Sequence, residues 1–169
     1  SVLAMQLFFF FLSVPVMLLA ALFQERHVKS NALRESEARF RSMADSAPLM
    51  IWMTNTGKQG EYFNKRWLDF TGRSMQQEFG DGWSEGIHPE DLDHCLSTCK
   101  TAFDAREPFN MEFRLRRRDG TYRWVADYGI PRYAPDGAFK GYIGSCLDVT
   151  DGKLGELQLQ EQRAELTHL

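Results

Sequence analysis

The sequence has 169 residues, enough for one domain of about 100–150 residues with extensions. Its net charge of -3 argues against a general nucleic-acid-binding protein, and no nucleic-acid partner is expected. Cys95, Cys99 and Cys146 form neither a CxxC pair nor an even framework, which favours reduced thiols over disulfides. The sequence begins with Ser rather than Met, and we expect it to be part of a longer chain.

Residues 2–23 contain no charged side chain. Because about 20 apolar residues cross the hydrocarbon core of a bilayer, this segment predicts a transmembrane helix. A buried core helix and a signal peptide are the alternatives, but the segment is apolar on every side and no basic region precedes it. Arg26, Lys29 and Arg34 follow, which places this end in the cytoplasm by the positive-inside rule.

Residues 24–45 are rich in charged side chains and contain neither Gly nor Pro, which predicts a helical linker. Leu33, Phe40 and Ala47 recur at a spacing of seven and form a thin apolar stripe. Such a stripe packs on the following domain or pairs with a second copy, and a solvated spacer is the alternative. Pro48 ends the helix, because the residue before a proline is disfavoured in the helical conformation.

A hairpin and a short helix follow the linker. Residues 49–54 form an apolar run typical of a buried strand, and residues 61–64 form a second strand. The short helix begins at Lys65 and ends at Gly72, since glycine is favoured directly after a helix. Residues 74–83 are expected to be irregular or weakly helical. The apolar residues that the short helix turns inward are Trp67, Leu68 and Phe70.

A longer helix is predicted from His88 to about Ala105. Pro89 suits the first helical position, and the acidic residues after it suit the positive end of the helix dipole. One face of this helix carries Leu92, Leu96, Cys99 and Phe103.

Residues 109–151 predict three consecutive antiparallel strands. In the first, Met111, Phe113 and Leu115 alternate with polar residues, as in a strand with one buried face. Gly120 marks the first turn, because glycine adopts positive φ without steric cost. The same apolar alternation continues in the next two strands, with Tyr122, Trp124, Ala126, Tyr128 and Ile130 in one and Phe139, Ile143, Leu147 and Val149 in the other.

The order of elements predicts an α+β fold with a five-stranded antiparallel sheet and helices over one face. Five stretches resemble a PAS domain with its C-terminal PAC portion: residues 36–41, 62–72, 87–91, 112–116 with 119–124, and 141–151. The apolar first helix and its linker resemble the last membrane helix of an integral-membrane sensor module of bacterial signalling proteins. Residues 152–169 resemble the coiled-coil-like connector that leads into the dimerisation helices of a sensor histidine kinase.

The resemblance implies a transmembrane helix at residues 1–23, a linker at 24–45, a PAS/PAC domain at 46–151 and an output helix at 152–169. It implies a sensory or relay module, not itself an enzyme, in the bacterial inner membrane with its PAS domain in the cytoplasm. The expected partners are a second copy through the flanking helices, a downstream kinase domain of the same chain and, through that kinase, a response regulator. A diguanylate cyclase effector and a cofactor-binding sensor are the alternatives.

Several aromatic residues are candidates for a small-molecule pocket, although the same residues also make an ordinary core. These are Trp52, Phe63, Trp67, Phe70 and Phe103. His94 is a candidate haem ligand, since some PAS domains bind haem through a histidine of this helix. With Cys95 and Cys99 it is also a candidate metal site, but such cysteines are more often core residues. No resident cofactor or metal and no catalytic residues are expected.

The last candidate group is Asp148, Thr150 and Asp151. In PAS domains this exit motif joins the final strand to the outgoing helix. A polar side chain there caps the helix N-terminus, and a change in sheet packing then changes the position of the helix. These three are the expected signal-transfer residues, and an ordinary helix cap is the alternative.

Overall fold

The structure, a computed structural model, describes the backbone of residues 2–167 and the side chains of residues 15–156, 158–160 and 162–163. The chain forms two compact units, Ser1–Met43 and Ala44–Leu169. The first unit consists of helix α1, Val2–Ser46, whose last residues belong to the second unit. All other elements lie in the second unit.

Residues 24–45 lie within helix α1. Exposed ion pairs one turn apart lie along it, such as Lys29 with Glu25 at 2.6 Å, and each stabilises a helix only slightly. Within the part of the chain whose side chains are described, no helix has both the length and the apolar character needed to cross a bilayer. The predicted span at residues 2–23 lies partly outside that part, because it includes the side chains of residues 2–14.

Five strands form one antiparallel sheet in the order β2-β1-β5-β4-β3. The strands are β1 (Met50–Thr54), β2 (Gly60–Phe63), β3 (Phe109–Arg116), β4 (Tyr122–Tyr133) and β5 (Phe139–Asp148). The last strand along the chain therefore lies in the middle of the sheet. Helical residues pack with one sheet face in a single hydrophobic core, which confirms the predicted α+β fold.

The helices between β2 and β3 are α2 (Lys65–Thr71), α3 (Met75–Glu78), a 3-10 helix (Gly82–Gly86) and α4 (Pro89–Ala105). Gly72 ends α2 in the left-handed conformation, with φ 69°, as the sequence predicts. Residues 74–83, expected to be irregular or weakly helical, contain α3 and the start of the 3-10 helix. The output helix, α5, is Thr150–Thr167.

The prediction for the inward face of β3 is confirmed, but the corresponding prediction for β4 is wrong. Val125 lies opposite Phe113, and Asp127 lies opposite Met111. Because directly opposed residues share one face of a sheet, Val125 and Asp127 face the core. Tyr128 is 51% exposed. Alternation alone does not show which side is buried when large amphipathic side chains cover the outer face. That outer face carries the whole predicted set, Tyr122, Trp124, Ala126, Tyr128 and Ile130.

The predicted face of β5 is also wrong for most of the strand. Tyr142 and Cys146 are buried, whereas Leu147 is 52% exposed. Of the predicted set, Phe139 packs against the core, but Ile143 and Leu147 belong to the opposite face. The pairing with β4 shifts register next to Phe139. A bulge of this kind reverses the faces on its two sides, so one alternating pattern does not describe the strand.

Candidate functional site

Two glycines leave the middle of the inner sheet face open. Gly144 of β5 pairs with Gly129 of β4, and the same row continues to Trp52 on one side and Phe109 on the other. A Cβ atom at Gly144 would lie 2.3 Å from the Trp52 ring, and one at Gly129 would lie 2.4 Å from the Phe109 ring. The two rings therefore lie over the glycines, where they stack with centroids 6.0 Å apart.

This row forms part of a cavity of about 340 Å³, a volume at the lower end of the range of small-molecule sites. Four of the predicted pocket residues line it: Trp52, Phe63, Trp67 and Phe103. Phe70 is not among the lining residues and packs instead at the edge of the hydrophobic core. The prediction also missed other aromatic lining residues, namely Trp83, Phe109, Phe113 and Tyr142.

Asp127 also lines the cavity, and the prediction from the sequence did not include it. It is only 5% exposed and lies in a row with Cys146 and Met111 on the inner sheet face. Its Oδ1 accepts a hydrogen bond from Trp52 Nε1 at 2.8 Å and another from Cys146 Sγ at 3.1 Å. Burial raises the pKa of Asp127 to about 6, although both hydrogen bonds act to lower it. Only the strand register shows that this aspartate faces inward.

The cysteines near Asp127 are protonated thiols. Burial raises the pKa of Cys95 and of Cys99 to about 12, and it also raises the pKa of Cys146. Since the thiolate is the metal-binding and nucleophilic form, these side chains behave as apolar neighbours. Within the described residues, no group of three or more His, Cys, Asp or Glu side chains is placed to hold a metal ion.

His94 lies on the exposed side of α4, where it borders a surface groove with Ser97 and Thr98 rather than the cavity. A histidine that ligates haem inside the cavity must face it, so the structure gives no support to His94 in that role. The part of α4 that does line the cavity includes Cys99 and Phe103. Leu96, predicted on the same apolar face, also lines the cavity but is 43% exposed at its edge.

A second group of contacts joins the sheet to α5. Arg123 of β4 forms ion pairs with both acids of the exit motif, at 2.9 Å from Asp148 and 3.1 Å from Asp151. Thr150 is buried, and its Oγ1 accepts a hydrogen bond at 2.8 Å from the backbone N–H of Trp124. Asp148 accepts a hydrogen bond at 3.0 Å from the backbone N–H of Thr150. The structure thus brings the three predicted residues together at Arg123 and Trp124 of β4, which the prediction of signal-transfer residues did not include.

The ion pair of Arg123 with Asp148 is charged at neutral pH. Partial burial raises the pKa of Asp148, but hydrogen bonds from Thr150 and Arg123 outweigh this effect and leave the pKa below its ordinary value. The hydrogen bond to Asp148 in turn raises the pKa of Arg123. The junction therefore keeps its ion pair throughout the range in which the carboxyl group of Asp127 titrates.

At the other end of the domain, Asn64 joins three elements and is fully buried. Its Oδ1 accepts hydrogen bonds from the backbone N–H groups of Ile51 in β1 and Trp67 in α2. Its Nδ2 donates to the carbonyl oxygens of Ala44 at 2.7 Å and Leu49 at 2.9 Å. The side chain thus fixes the C-terminal end of α1 to the sheet, a role that the sequence did not reveal.

The comparisons with known proteins match this geometry. The profile of the PAS fold matches residues 61–146, which include most of the cavity lining. The uncharacterized protein y4lL of Sinorhizobium fredii is 41% identical over 145 residues, which are 86% of this chain and 18% of that protein. The peroxide stress-activated histidine kinase mak1 of Schizosaccharomyces pombe is 29% identical over 147 residues, 81% of this chain and 9% of the kinase.

Among solved structures, a sensory box histidine kinase/response regulator from Burkholderia thailandensis is similar, with a TM-score of 0.58 at 29% identity. The match covers 78% of this chain and 99% of that chain. The chain spans less than a fifth of the length of y4lL and of mak1. The strand order, the cavity between sheet and helices, and the match of the family profile over half of the chain lead to one conclusion: the chain belongs to the PAS fold family, as a sensory module.

Proposed function

We propose that this chain is the sensory and relay module, with a PAC portion in its last strands, of a membrane-anchored sensor histidine kinase. In this proposal α5 leads to a kinase domain of the same chain, which passes a phosphoryl group to a response regulator. The names of two similar proteins, which are histidine kinases, support this effector. In this proposal the chain itself catalyses no reaction but controls the activity of the kinase domain.

The observation that carries the proposal is the pair of contacts from Arg123 to Asp148 and Asp151. Arg123 is part of the sheet, whereas Asp151 lies in the first turn of α5. A change in the position of β4 therefore changes the position of the first turn of α5, unless these contacts break. Arg123 is about three quarters buried in its side chain, which limits solvent screening of its shorter pair.

We further propose that residues 2–23 anchor the protein in the bacterial inner membrane, that the PAS domain lies in the cytoplasm, and that α1 and α5 pair with a second copy. Apolar side chains on both helices are exposed in the single chain, including Leu33 at 70% and Leu159 at 52%. Paired helices would cover such residues. Native mass spectrometry of the 169-residue chain in detergent is expected to give a dimer, and a monomer would contradict this arrangement.

The test of the relay uses the intact protein that contains this chain. Arg123→Gln removes both ion pairs while keeping a side chain of similar length. We expect it to change the rate of autophosphorylation from ATP by about fivefold or more, a typical coupling between sites. The readout is the acid-labile phosphohistidine formed per minute.

Arg117→Gln is the matched control. Arg117 directly follows β3, and its ion-pair partner is Asp119 in the turn before β4, at 3.8 Å. This variant should keep the wild-type rate. An unchanged rate in Arg123→Gln would exclude the junction as the relay. If the intact protein forms a cyclic dinucleotide from GTP and no phosphohistidine, its effector is a diguanylate cyclase rather than a kinase.

A further inference from the structure

We propose that the cavity beside Asp127 binds a small organic cation, a protonated or quaternary amine with an apolar body, whose nitrogen lies against the Asp127 carboxylate. The inference concerns the ligand and does not depend on the identity of the effector. It stands on the buried charge of Asp127, the aromatic walls of the cavity and the pairing of the two lysines at its exposed side.

Asp127 is a buried acidic group without a cationic partner in the described part of the chain. Among the residues that the structure describes, no Lys, Arg or His forms an ion pair with Asp127. Its hydrogen-bond donors, Trp52 and Cys146, are neutral. A buried carboxylate without a cation is costly, because the hydration it loses is not replaced by an opposite charge. A cationic ligand in the cavity would supply that charge.

The walls of the cavity are largely aromatic. Rings attract cations placed over their faces, and quaternary ammonium groups are bound in this way by aromatic cages. Phe103 already contacts a cation, since Lys58 Nζ lies 5.3 Å from the centroid of its ring. Phe103 also stacks on Tyr142 with centroids 5.1 Å apart. Walls of this kind accept both the ammonium group and the apolar body of an amine.

The cavity also has positively charged lining residues. Two lysines, Lys58 and Lys100, line the cavity on its exposed side and would favour an anionic ligand if they were unpaired. Both are near Asp104, with Lys58 at 2.7 Å and Lys100 at 3.5 Å from its carboxylate. Their charges are therefore partly satisfied at the surface, whereas no cationic side chain of the described residues pairs with Asp127, whose hydrogen bonds come from neutral donors. A cation fits the buried end of the cavity better than an anion.

The test is calorimetric titration of the purified 169-residue chain at neutral pH with three probes of matched size: phenethylamine, phenethyl alcohol and phenylacetate. A fourth probe, benzyltrimethylammonium, tests a quaternary cation. We expect both cations to bind at least about tenfold more tightly than the alcohol, since a charge-assisted contact is stronger than a neutral one. Phenylacetate should bind most weakly.

Asp127→Asn keeps the shape of the side chain and an oxygen that accepts from Trp52, but it removes the charge. It should reduce the preference for amine over alcohol to less than about threefold. The matched control is Asp81→Asn, because Asp81 also lines the cavity but is exposed, and this variant should keep the preference. A preference that survives in Asp127→Asn, or is lost in Asp81→Asn, would overturn the assignment of the buried carboxylate.

A measurement on the wild-type chain covers the case in which Asp127→Asn does not fold. The groups that face Asp127 from the neighbouring elements are Trp52 from β1, Cys146 from β5 and the thiols of α4, all uncharged near neutral pH. Binding of the cations should therefore weaken as the pH falls through about 6, where Asp127 takes up a proton. Equal affinity for amine and alcohol, tighter binding of phenylacetate, or no binding of either cation at millimolar concentration would each refute the proposal.

Discussion

Trp52 and Phe109 stack across two intervening strands: their ring centroids are 6.0 Å apart, although β5 and β4 separate their backbones. The contact is possible because the residues between them in the same row are Gly144 and Gly129. Two aromatic side chains thus occupy the space that four side chains would fill in an ordinary sheet. This arrangement leaves the cavity open above the rings and makes the glycines essential to its shape.

Gly144→Ala is expected to destabilise the domain. The added Cβ would meet the Trp52 ring at 2.3 Å and the carbonyl oxygen of Tyr128 at 2.6 Å, so the ring or the strand must move. Overpacking of this kind costs about 1–3 kcal/mol. Chemical denaturation followed by intrinsic tryptophan fluorescence measures the loss, and it also reports displacement of Trp52.

Gly152→Ala is the matched control for that change. Gly152 lies in α5, and an added Cβ meets no atom within 4 Å. Since glycine inside a helix is less favourable than alanine by about 0.5–1 kcal/mol, this variant should be slightly more stable than the wild type. Equal stability of the two variants would contradict the close approach of Trp52 to Gly144.

Asp127→Asn should show a stability difference from the wild type that depends on pH. The folded-state pKa of Asp127 is about 6, above its ordinary value of 3.8, so between these values the native state holds a proton that the unfolded chain has lost. This group therefore contributes most stability below its unfolded pKa, and the contribution falls as the pH rises through about 6. The variant should gain up to about 3 kcal/mol relative to the wild type from acidic to neutral pH.

Thermal or urea unfolding of both proteins over that pH range measures the trend. Asp104→Asn is the control, because Asp104 is exposed and its hydrogen bond from Lys58 lowers its pKa. Its difference from the wild type should have the opposite sign and be small. A difference for Asp127→Asn that does not change with pH would show that the carboxyl group titrates normally in the folded protein.

Asn64→Asp should destabilise the domain at neutral pH. The nitrogen of Asn64 donates to the carbonyl oxygens of Ala44 and Leu49, and a carboxylate in its place would put negative charge against both. The cost of leaving such buried groups unpaired is about 1–3 kcal/mol each. Stability should partly return at acidic pH, where the new carboxyl group is protonated and donates again.

Asn55→Asp provides the comparison for Asn64. Asn55 Oδ1 accepts from the backbone N–H groups of Gly57 and Gln59 in an exposed turn, and aspartate serves this role equally well. The Nδ2 of Asn55 donates only one long, exposed contact, to Gln59 Oε1 at 3.4 Å, and water can replace it. Urea denaturation should find this variant within about 0.5 kcal/mol of the wild type. Similar losses in the two variants would contradict a special role for the buried amide.

Thr150→Val tests the polar contact between the sheet and α5. Valine matches threonine in shape but leaves the backbone N–H of Trp124 without the acceptor that now lies at 2.8 Å. We expect a loss of about 1–3 kcal/mol and faster hydrogen exchange at Trp124. Thr150→Ser retains the hydroxyl group and should keep the protection of this amide.

The sequence predicts the number of strands, the long helix and the end of α2 because each has a local signal. Gly72 after the short helix and Pro89 at the start of α4 act within one turn of their own positions. The inner face of β3 was also predictable, since its alternation of apolar and charged residues is clear. These features depend on neighbours in the chain.

The inward faces of β4 and β5 were not predictable in this way, because strand register depends on partners distant in the sequence. Tyr128 and Leu147 are apolar yet exposed, while Asp127 is charged yet buried. For the same reason the sequence predicted much of the aromatic cavity wall but not its carboxylate. Arg123 was likewise missed, since its partner Asp148 lies 25 positions away.

Asp127 and Arg123 belong to the same strand, four positions apart, or about 13 Å along an extended chain. One residue borders the cavity, and the other contacts the outgoing helix. One continuous strand therefore joins the proposed ligand site to the first turn of α5, with no loop between the two contacts. If both proposals hold, a small rotation of β4 about its own axis would move the ligand contact and the helix contact together.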